Sequence, residues 1–217
     1  MLFRSKEKHM STRIITIFAI LTLAFISCKD NSTSPDDNNN NNNEPSVGVY
    51  FPLKVGNWWK YKHNLGGMEL DLLIKVEGTT MIDGKKWYKV GSPAEWQYYR
   101  YEGSILSMIT TRNGFQFEFQ MFSENGKTGD SLITDVIYKN TPNRIVCKIT
   151  NKYQSLAVRG VEYKDVLEVT MNSYIWDDEE WFDSYMENFY FARDIGLIKI
   201  EVPELMLREL IEYSVSK

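Results

Sequence analysis

The sequence predicts an all-β protein, an antiparallel meander whose sheet forms a sandwich, a barrel or a curved half-barrel. From residue 50 onward, apolar and polar residues alternate with a period of two, which is typical of strands with one buried face. Gly, Asn, Asp and Pro separate most of these runs, as expected of antiparallel strands joined by short turns. Aromatic residues make up 14% of the chain, and such side chains fit a pleated surface well.

The first half of the predicted sheet is the more regular. Met68 to Val76 alternates apolar residues with mostly polar ones, which predicts a strand with one buried face. Asp83-Gly84 and Asn113-Gly114 are hairpin turn signals, and Phe115 to Met121 alternates again. The candidate strands in this half cover residues 58–61, 68–77, 86–90, 95–101, 105–111 and 115–121.

The second half continues the pattern and contains one ambiguous segment. Ile145, Cys147 and Ile149 alternate with polar or smaller residues and are expected to share one buried face. Pro203 to Tyr213 fits helical spacing as well as sheet spacing, but the alternation that closes it favours a strand. The candidate strands here cover residues 132–138, 144–151, 153–158, 166–176, 181–191, 197–202 and 205–215, which brings the total to about thirteen.

The N-terminus carries a secretion signal. Four basic residues precede an apolar segment, Ile14–Ile26, which is shorter than the roughly 20 residues of a membrane-spanning helix. Phe25-Ile26-Ser27-Cys28 resembles the lipobox of bacterial lipoproteins, with Phe25 where Leu is usual. The resemblance implies cleavage between Ser27 and Cys28 and lipid attachment at Cys28, and Lys29 after the cysteine implies an outer-membrane lipoprotein facing the periplasm or the cell surface. An ordinary secretory signal and an uncleaved anchor are the alternatives.

The chain divides into a signal peptide at residues 1–27, a tether at residues 28–49 and one β domain at residues 50–217. The tether contains an unbroken asparagine run, Asn38 to Asn43, that buries no apolar surface and is therefore expected to stay flexible. Loss of residues 1–27 changes the formal net charge from −4 to about −7. An acidic chain without a basic cluster is not expected to bind nucleic acid.

Few residues have the chemistry of a catalytic or metal site. After cleavage the chain holds one histidine, His63, whose position beside lysines suggests a solvated strand end rather than a catalytic base. Cys147 lies in an alternating strand and is expected to pack in the core; with Cys28 acylated, no intramolecular disulfide can form. None of the common nucleotide, nucleophile or zinc motifs is present, and no cofactor or metal is expected.

One dense acidic group stands between two candidate strands. It consists of Asp177, Asp178, Glu179, Glu180 and Asp183. Carboxylates in a loop can bind Ca²⁺, and a pair of them can serve as acid and base in glycoside cleavage. The spacing lacks the calcium-loop pattern with its turn glycine, so a solvated loop tip is the third and simplest interpretation.

Three segments resemble a group of secreted bacterial lipoprotein domains of uncharacterised function. They are Tyr50-Phe51-Pro52-Leu53 with Gly56-Asn57-Trp58, residues 160–167, and Tyr190-Phe191-Ala192 with residues 195–199. The resemblance implies a β-rich fold, in some related cases a curved half-barrel that carries lipids or lipoproteins. The matching residues are turn glycines and core aromatics rather than catalytic groups.

The expected function follows from the lipid anchor and the predicted sheet. We expect a non-catalytic binding or assembly module of the cell envelope, attached to the membrane through its N-terminal lipid, in one version holding an apolar ligand in a curved sheet. The alternatives are a surface-exposed module that binds glycans or a protein, and a hydrolase that uses the acidic group. The identity of the ligand or protein partner does not follow from the sequence.

Overall fold

The computed structural model describes residues 48–112, 115–177 and 179–216, and within them twelve strands form one antiparallel sheet. The described part of the chain contains no helix. Helices long and apolar enough to cross a membrane are likewise not found there. The strands are β1 (Trp58–Leu65), β2 (Met68–Ile82), β3 (Lys85–Ser92), β4 (Glu95–Glu102), β5 (Ile105–Arg112), β6 (Phe115–Ser123), β7 (Ser131–Tyr138), β8 (Thr141–Val158), β9 (Val161–Asp177), β10 (Glu180–Ala192), β11 (Gly196–Val202) and β12 (Met206–Ser214).

The sheet curls into a nearly closed barrel with one open seam. Its strand order is β6-β5-β4-β3-β2-β1-β12-β11-β10-β9-β8-β7, so every neighbour except the β1–β12 pair is also consecutive in the chain. The terminal strands β6 and β7 lie side by side without a ladder between them. The 124–130 loop fastens this seam: Gly129 N–H donates to Ile149 O (2.8 Å), and Ile149 N–H donates to Asp130 O (2.9 Å).

The all-β prediction is confirmed, with one strand fewer than expected. The candidate strands at 144–151 and 153–158 are a single strand, β8, because an irregularity between Ile149 and Asn151 shifts its register against β9 without ending it. The ambiguous segment from Pro203 to Tyr213 contributes the strand β12. The Asp83-Gly84 hairpin turn is present, with φ values of 49° and 72°, whereas Asn113-Gly114 lies outside the described residues.

One end of the barrel is closed by the segment that precedes β1. Tyr50, Phe51 and Leu53 are all buried there. The ring of Phe51 packs on Trp59 (centroids 5.3 Å apart) and on Tyr99 (5.0 Å). Aromatic burial of this extent is a large apolar contribution to stability, so residues 50–53 act as a plug.

A buried carboxylate fixes the plug to the barrel wall. Glu124 Oε1 accepts hydrogen bonds from Tyr50 N–H (2.9 Å) and from the Tyr101 hydroxyl (2.6 Å). The Tyr50 hydroxyl donates to Asp165 (2.6 Å), and Arg193 pairs with Asp165 and lies 4.1 Å over the Tyr50 ring. These bonds satisfy polar groups that the plug would otherwise bury without partners.

The opposite end of the barrel is open. Along the inner face of β1, exposure rises from 0% at Trp59 and 1% at Tyr61 to 43% at Leu65. On β2 the same face runs from buried Val76 to Leu70 at 42% and Met68 at 64%. The alternation predicted for Met68 to Val76 is therefore confirmed. The burial predicted for its N-terminal half is wrong, because these side chains line the open end of the barrel, its mouth, rather than the core.

Candidate functional site

The candidate site is the inner face of the barrel between the plugged end and the open end, or mouth; we call this region the lumen. Four polar side chains that face this region come from four different strands: His63 of β1, Arg208 of β12, Glu187 of β10 and Tyr99 of β4. We call these four residues the lumen cluster. Each occupies an inward position in its strand, as the register and the burial of its neighbours show.

The register places His63 and Arg208 side by side. They are direct partners across β1 and β12, in the inward phase that includes the buried pair Tyr61 and Leu210. Arg208 Nε–H donates a long hydrogen bond to His63 Nδ1 (3.5 Å), and its guanidinium lies 6.0 Å from the centre of the Tyr61 ring. Burial, followed by the nearby Arg208 charge, lowers the pKa of His63, so its ring is neutral near pH 7.

The tautomer of His63 follows from that bond. Because Nδ1 accepts a hydrogen bond from Arg208, the ring proton of the neutral imidazole belongs on Nε2. His63 therefore retains one N–H donor at Nε2.

Glu187 is a carboxyl group on the inner face of β10. Glu187 points to the same side of β10 as buried Phe189 and Phe191. Its cross-strand partner on β9 is Met171, which in turn pairs with buried Cys147 on β8. Burial raises the pKa of Glu187 to about 7, against the lowering effects of the Arg208 charge and of a hydrogen bond from Tyr185. Near neutral pH this group exists in both its protonated and its ionised form.

The groups of the lumen cluster act on one another's pKa values. Burial, followed by the Glu187 charge, raises the pKa of Tyr99, although five strands of the sheet stand between β10 and β4. Arg208 of β12 acts on both groups. The Tyr99 hydroxyl donates to Gln97 Oε1 (2.7 Å), which holds it on the wall of the lumen.

The charges of the lumen cluster are not matched by close ion pairs. The ion pairs formed in the described ranges include neither Arg208 nor Glu187. A half-buried guanidinium without a carboxylate at contact distance keeps donors that an incoming acceptor can use.

The mouth beyond the lumen cluster is apolar. Leu65, Met68 and Leu70 of the β1–β2 hairpin are exposed there. Ile175 and Phe182 are cross-strand partners on β9 and β10, in the inward phase, and both are also exposed. The lumen thus changes from packed aromatic residues at the plug, through a charged middle, to an apolar mouth.

A separate small cavity lies at the seam between β6 and β7. Its volume is about 240 Å³, and its apolar walls include Met121, Phe122, Cys147 and Ile149. This is below the roughly 300–1,000 Å³ of usual small-molecule sites. We therefore regard the lumen, not the seam cavity, as the candidate site.

The predictions made for individual residues from the sequence have different outcomes in the structure. Cys147 is buried in the core as predicted, and burial raises the pKa of its thiol to about 12. His63 is not at a solvated strand end: it is half-buried and faces the lumen. Ser27 and Cys28, the predicted cleavage and lipid-attachment positions, lie outside the described residues, as does most of the tether.

The described members of the acidic group lie around the junction of β9 and β10: Asp177 ends β9, Glu179 lies between the strands, and Glu180 and Asp183 belong to β10. Glu179, Glu180 and Asp183 are exposed, Asp178 lies outside the described residues, and the side chain of Asp177 is likewise not described. Among the described residues, no three His, Cys, Asp or Glu side chains approach closely enough to hold a metal ion.

Sequence reasoning missed Glu187 and Arg208. The sequence did contain a signal for Glu187. This residue stands two positions before Phe189 and four before Phe191, so in a strand it points to the same buried side as these phenylalanines. Arg208 likewise shares the phase of Leu210. A charged residue in the buried phase of a strand is the pattern that indicates a polar lumen.

Comparisons with known proteins give one distant similarity. No family model matches the chain. No curated protein matches its sequence either. Among solved structures, the chain is similar to that described as "a putative lipoprotein from Parabacteroides distasonis ATCC 8503", with 10% sequence identity and a TM-score of 0.48, over 78% of this chain and 100% of that chain. Similarity at this level does not indicate a shared function.

Proposed function

We propose that this protein is a lipid-anchored, non-catalytic binding module of the bacterial cell envelope, and that it binds an amphipathic small molecule through the mouth of its barrel. The observation that carries the proposal is the gradient along the inner face, from buried Trp59 to half-buried His63 to exposed Leu65. A barrel that only needed stability would fill both ends with packed side chains. An open end with apolar walls and a few polar groups is the usual composition of a small-molecule site.

The location part of the proposal rests on the lipobox at residues 25–28. A diacylglycerol on Cys28 supplies two acyl chains, and each buried methylene contributes about 0.8 kcal/mol of membrane affinity. Two chains hold a protein stably at a bilayer. The anchor would then keep the barrel close to membrane-derived amphiphiles.

The absence of catalysis is also part of the proposal. It is supported by the exposure of Glu179, Glu180 and Asp183, since catalytic carboxylates usually lie in a concave site. If the protein instead cleaved glycans with this turn, an Asp177→Ala, Asp183→Ala double variant would lose the activity.

Native mass spectrometry tests the binding function. The protein is extracted from its own membranes with a mild detergent, and a matched sample is stripped of lipid with organic solvent and refolded. We expect the first sample to carry a bound species of discrete mass, beyond the covalent lipid, that the second lacks. Identical masses for both samples, together with no uptake of added amphiphiles by the stripped protein, would contradict the proposal.

A second candidate function is recognition of a glycan or protein at the cell surface. It is favoured by Trp176 and Trp181, a half-exposed edge-to-face pair (centroids 5.3 Å apart) across β9 and β10. The guanidinium of Arg144 lies 4.7 Å from the Trp181 ring. Protease treatment of intact cells separates the two functions, because a domain that is protected from protease cannot meet a surface partner.

A further inference from the structure

We propose that the lumen cluster is the receptor for the carboxylate of a single-chain amphiphile, which enters head first and lies against Arg208 while its chain occupies the mouth. This inference rests on the proposed binding function and names the class of ligand. It is carried by the position of Arg208, whose guanidinium faces inward between a plugged end and an apolar mouth and forms no ion pair with another described residue.

Arg208 supplies the strongest part of the receptor. Its guanidinium has five N–H donors, of which one reaches His63 Nδ1. A carboxylate matches the planar fork of an arginine and is bound by two parallel, charge-assisted hydrogen bonds. Neither the Tyr61 ring nor the neutral His63 supplies a negative charge, so the guanidinium keeps donors for charge-assisted hydrogen bonds to an added anion.

His63 supplies a second donor. Its Nδ1 is occupied by Arg208, so its Nε2–H is the group left for a ligand oxygen. A carboxylate held by Arg208 would lie within the same part of the lumen, because His63 and Arg208 are direct cross-strand partners.

The mouth explains why the ligand is an amphiphile rather than a small acid. Leu70 is the cross-strand partner of His63 and lies two residues from Met68, on the same inner face of β2. With Leu65 these side chains form an apolar path that starts beside the charged groups and ends in solvent. Burial of apolar surface along this path would favour a ligand with an aliphatic chain.

Glu187 makes the receptor sensitive to pH. When protonated, this carboxyl leaves the Arg208 charge uncompensated and can itself donate a hydrogen bond to a ligand carboxylate. When ionised, it partly neutralises Arg208 and repels the ligand. The pKa of Glu187 near 7 places this change close to neutral pH. The titratable and charged groups that face Glu187 from the surrounding strands are Arg208, Tyr185, Glu95, Tyr99 and Cys147.

The linkage has a definite sign. If the ligand binds only the form with protonated Glu187, affinity falls about tenfold between pH 6 and pH 8. Glu187→Gln is neutral at every pH and should bind with an affinity that is nearly independent of pH in that range.

Isothermal titration calorimetry on the mature chain carrying Cys28→Ser, which cannot be acylated at that position, tests the inference. The probes are decanoate, decanol and decyltrimethylammonium, each below its micelle concentration. We expect decanoate to bind at least about tenfold more tightly than either other probe, and Arg208→Met to remove this preference. Lys89→Met, which also removes one positive charge but alters a lysine paired with Glu77 away from the lumen cluster, is the matched control and should leave all affinities unchanged.

The outcomes separate the inference from the proposed function. Equal binding of decanoate and decanol, or a preference that survives Arg208→Met, would overturn the carboxylate receptor while leaving a binding lumen. A preference for decyltrimethylammonium would assign the site to cations, with Glu187 and Glu95 as its partners, and would also overturn it. Binding of none of the probes would contradict the inference and the proposed function together. Circular dichroism of Arg208→Met confirms that the variant is folded.

Discussion

Replacement of Glu187 by glutamine is expected to change how the stability of the fold depends on pH. In the folded protein burial raises the pKa of Glu187 to about 7, whereas the ordinary value is 4.5. Below pH 4.5 the carboxyl is protonated in both the folded and the unfolded chain, so its titration contributes no penalty. As the pH rises toward 7, only the unfolded chain releases the proton, and the free energy of unfolding therefore falls.

The size of the effect follows from the shift in the pKa of Glu187. One pKa unit corresponds to 1.36 kcal/mol, so the wild-type chain should lose about 3 kcal/mol of stability between pH 4 and pH 8 through this group alone. Glu187→Gln has nearly the same shape and no charge, so it should lack this loss. Relative to the wild type, the variant should become more stable as the pH rises.

Urea unfolding followed by tryptophan fluorescence measures both profiles. Glu212→Gln, at an exposed position on β12, serves as the control for a general change in net charge and should follow the wild type. Parallel profiles for wild type and Glu187→Gln, offset by a constant amount, would refute the reasoning, since they would show that Glu187 has the same pKa in both states.

Four further predictions concern the plug, the wall, the core thiol and the anchor. Phe51→Ala should lower the free energy of unfolding by about 3–5 kcal/mol in urea titrations, because it removes a buried ring of the plug. Gly196→Ala should lower the melting temperature, since φ is +109° there and a Cβ would lie 2.9 Å from Nε1 of Trp59; Gly160→Ala, with open space around it, controls for the positive φ. Cys147 should react with a thiol reagent at pH 8 only after denaturation. Cys28→Ala should abolish incorporation of labelled palmitate and release the protein from the envelope.

The strands were predictable because alternation is a local property. The phase of Ile145, Cys147 and Ile149 depends only on the pleat, and all three side chains are buried as the sequence predicts. The merging of two predicted strands into β8 was not predictable in this way. Thr150 stands at a register shift, and its hydroxyl lies near that of Thr170 (3.2 Å), so the pairing with β9 continues through it.

The lumen was less predictable because it depends on barrel closure. Residues that alternate identically along β2 differ in burial according to their distance from the plug, as Val76 and Met68 show. Whether a strand end is capped is decided by a segment elsewhere in the chain, here residues 50–53. The sequence also drew attention to the acidic group rather than to Glu187. Clustered charges are easier to notice in a sequence than a single charged residue on the buried side of a strand.

Thiol labelling tests directly whether the lumen is an accessible binding site, on which both proposals depend. In the mature chain with Cys28→Ser, a thiol is placed on the inner face by Leu70→Cys or on the adjacent outer face by Glu69→Cys, and its reaction with a maleimide is timed with and without decanoate. Buried Cys147 provides the background rate in the parent chain. We predict that both new thiols react readily and that decanoate slows only the reaction of the thiol at position 70. Equal rates with and without decanoate at both positions would contradict binding in the lumen.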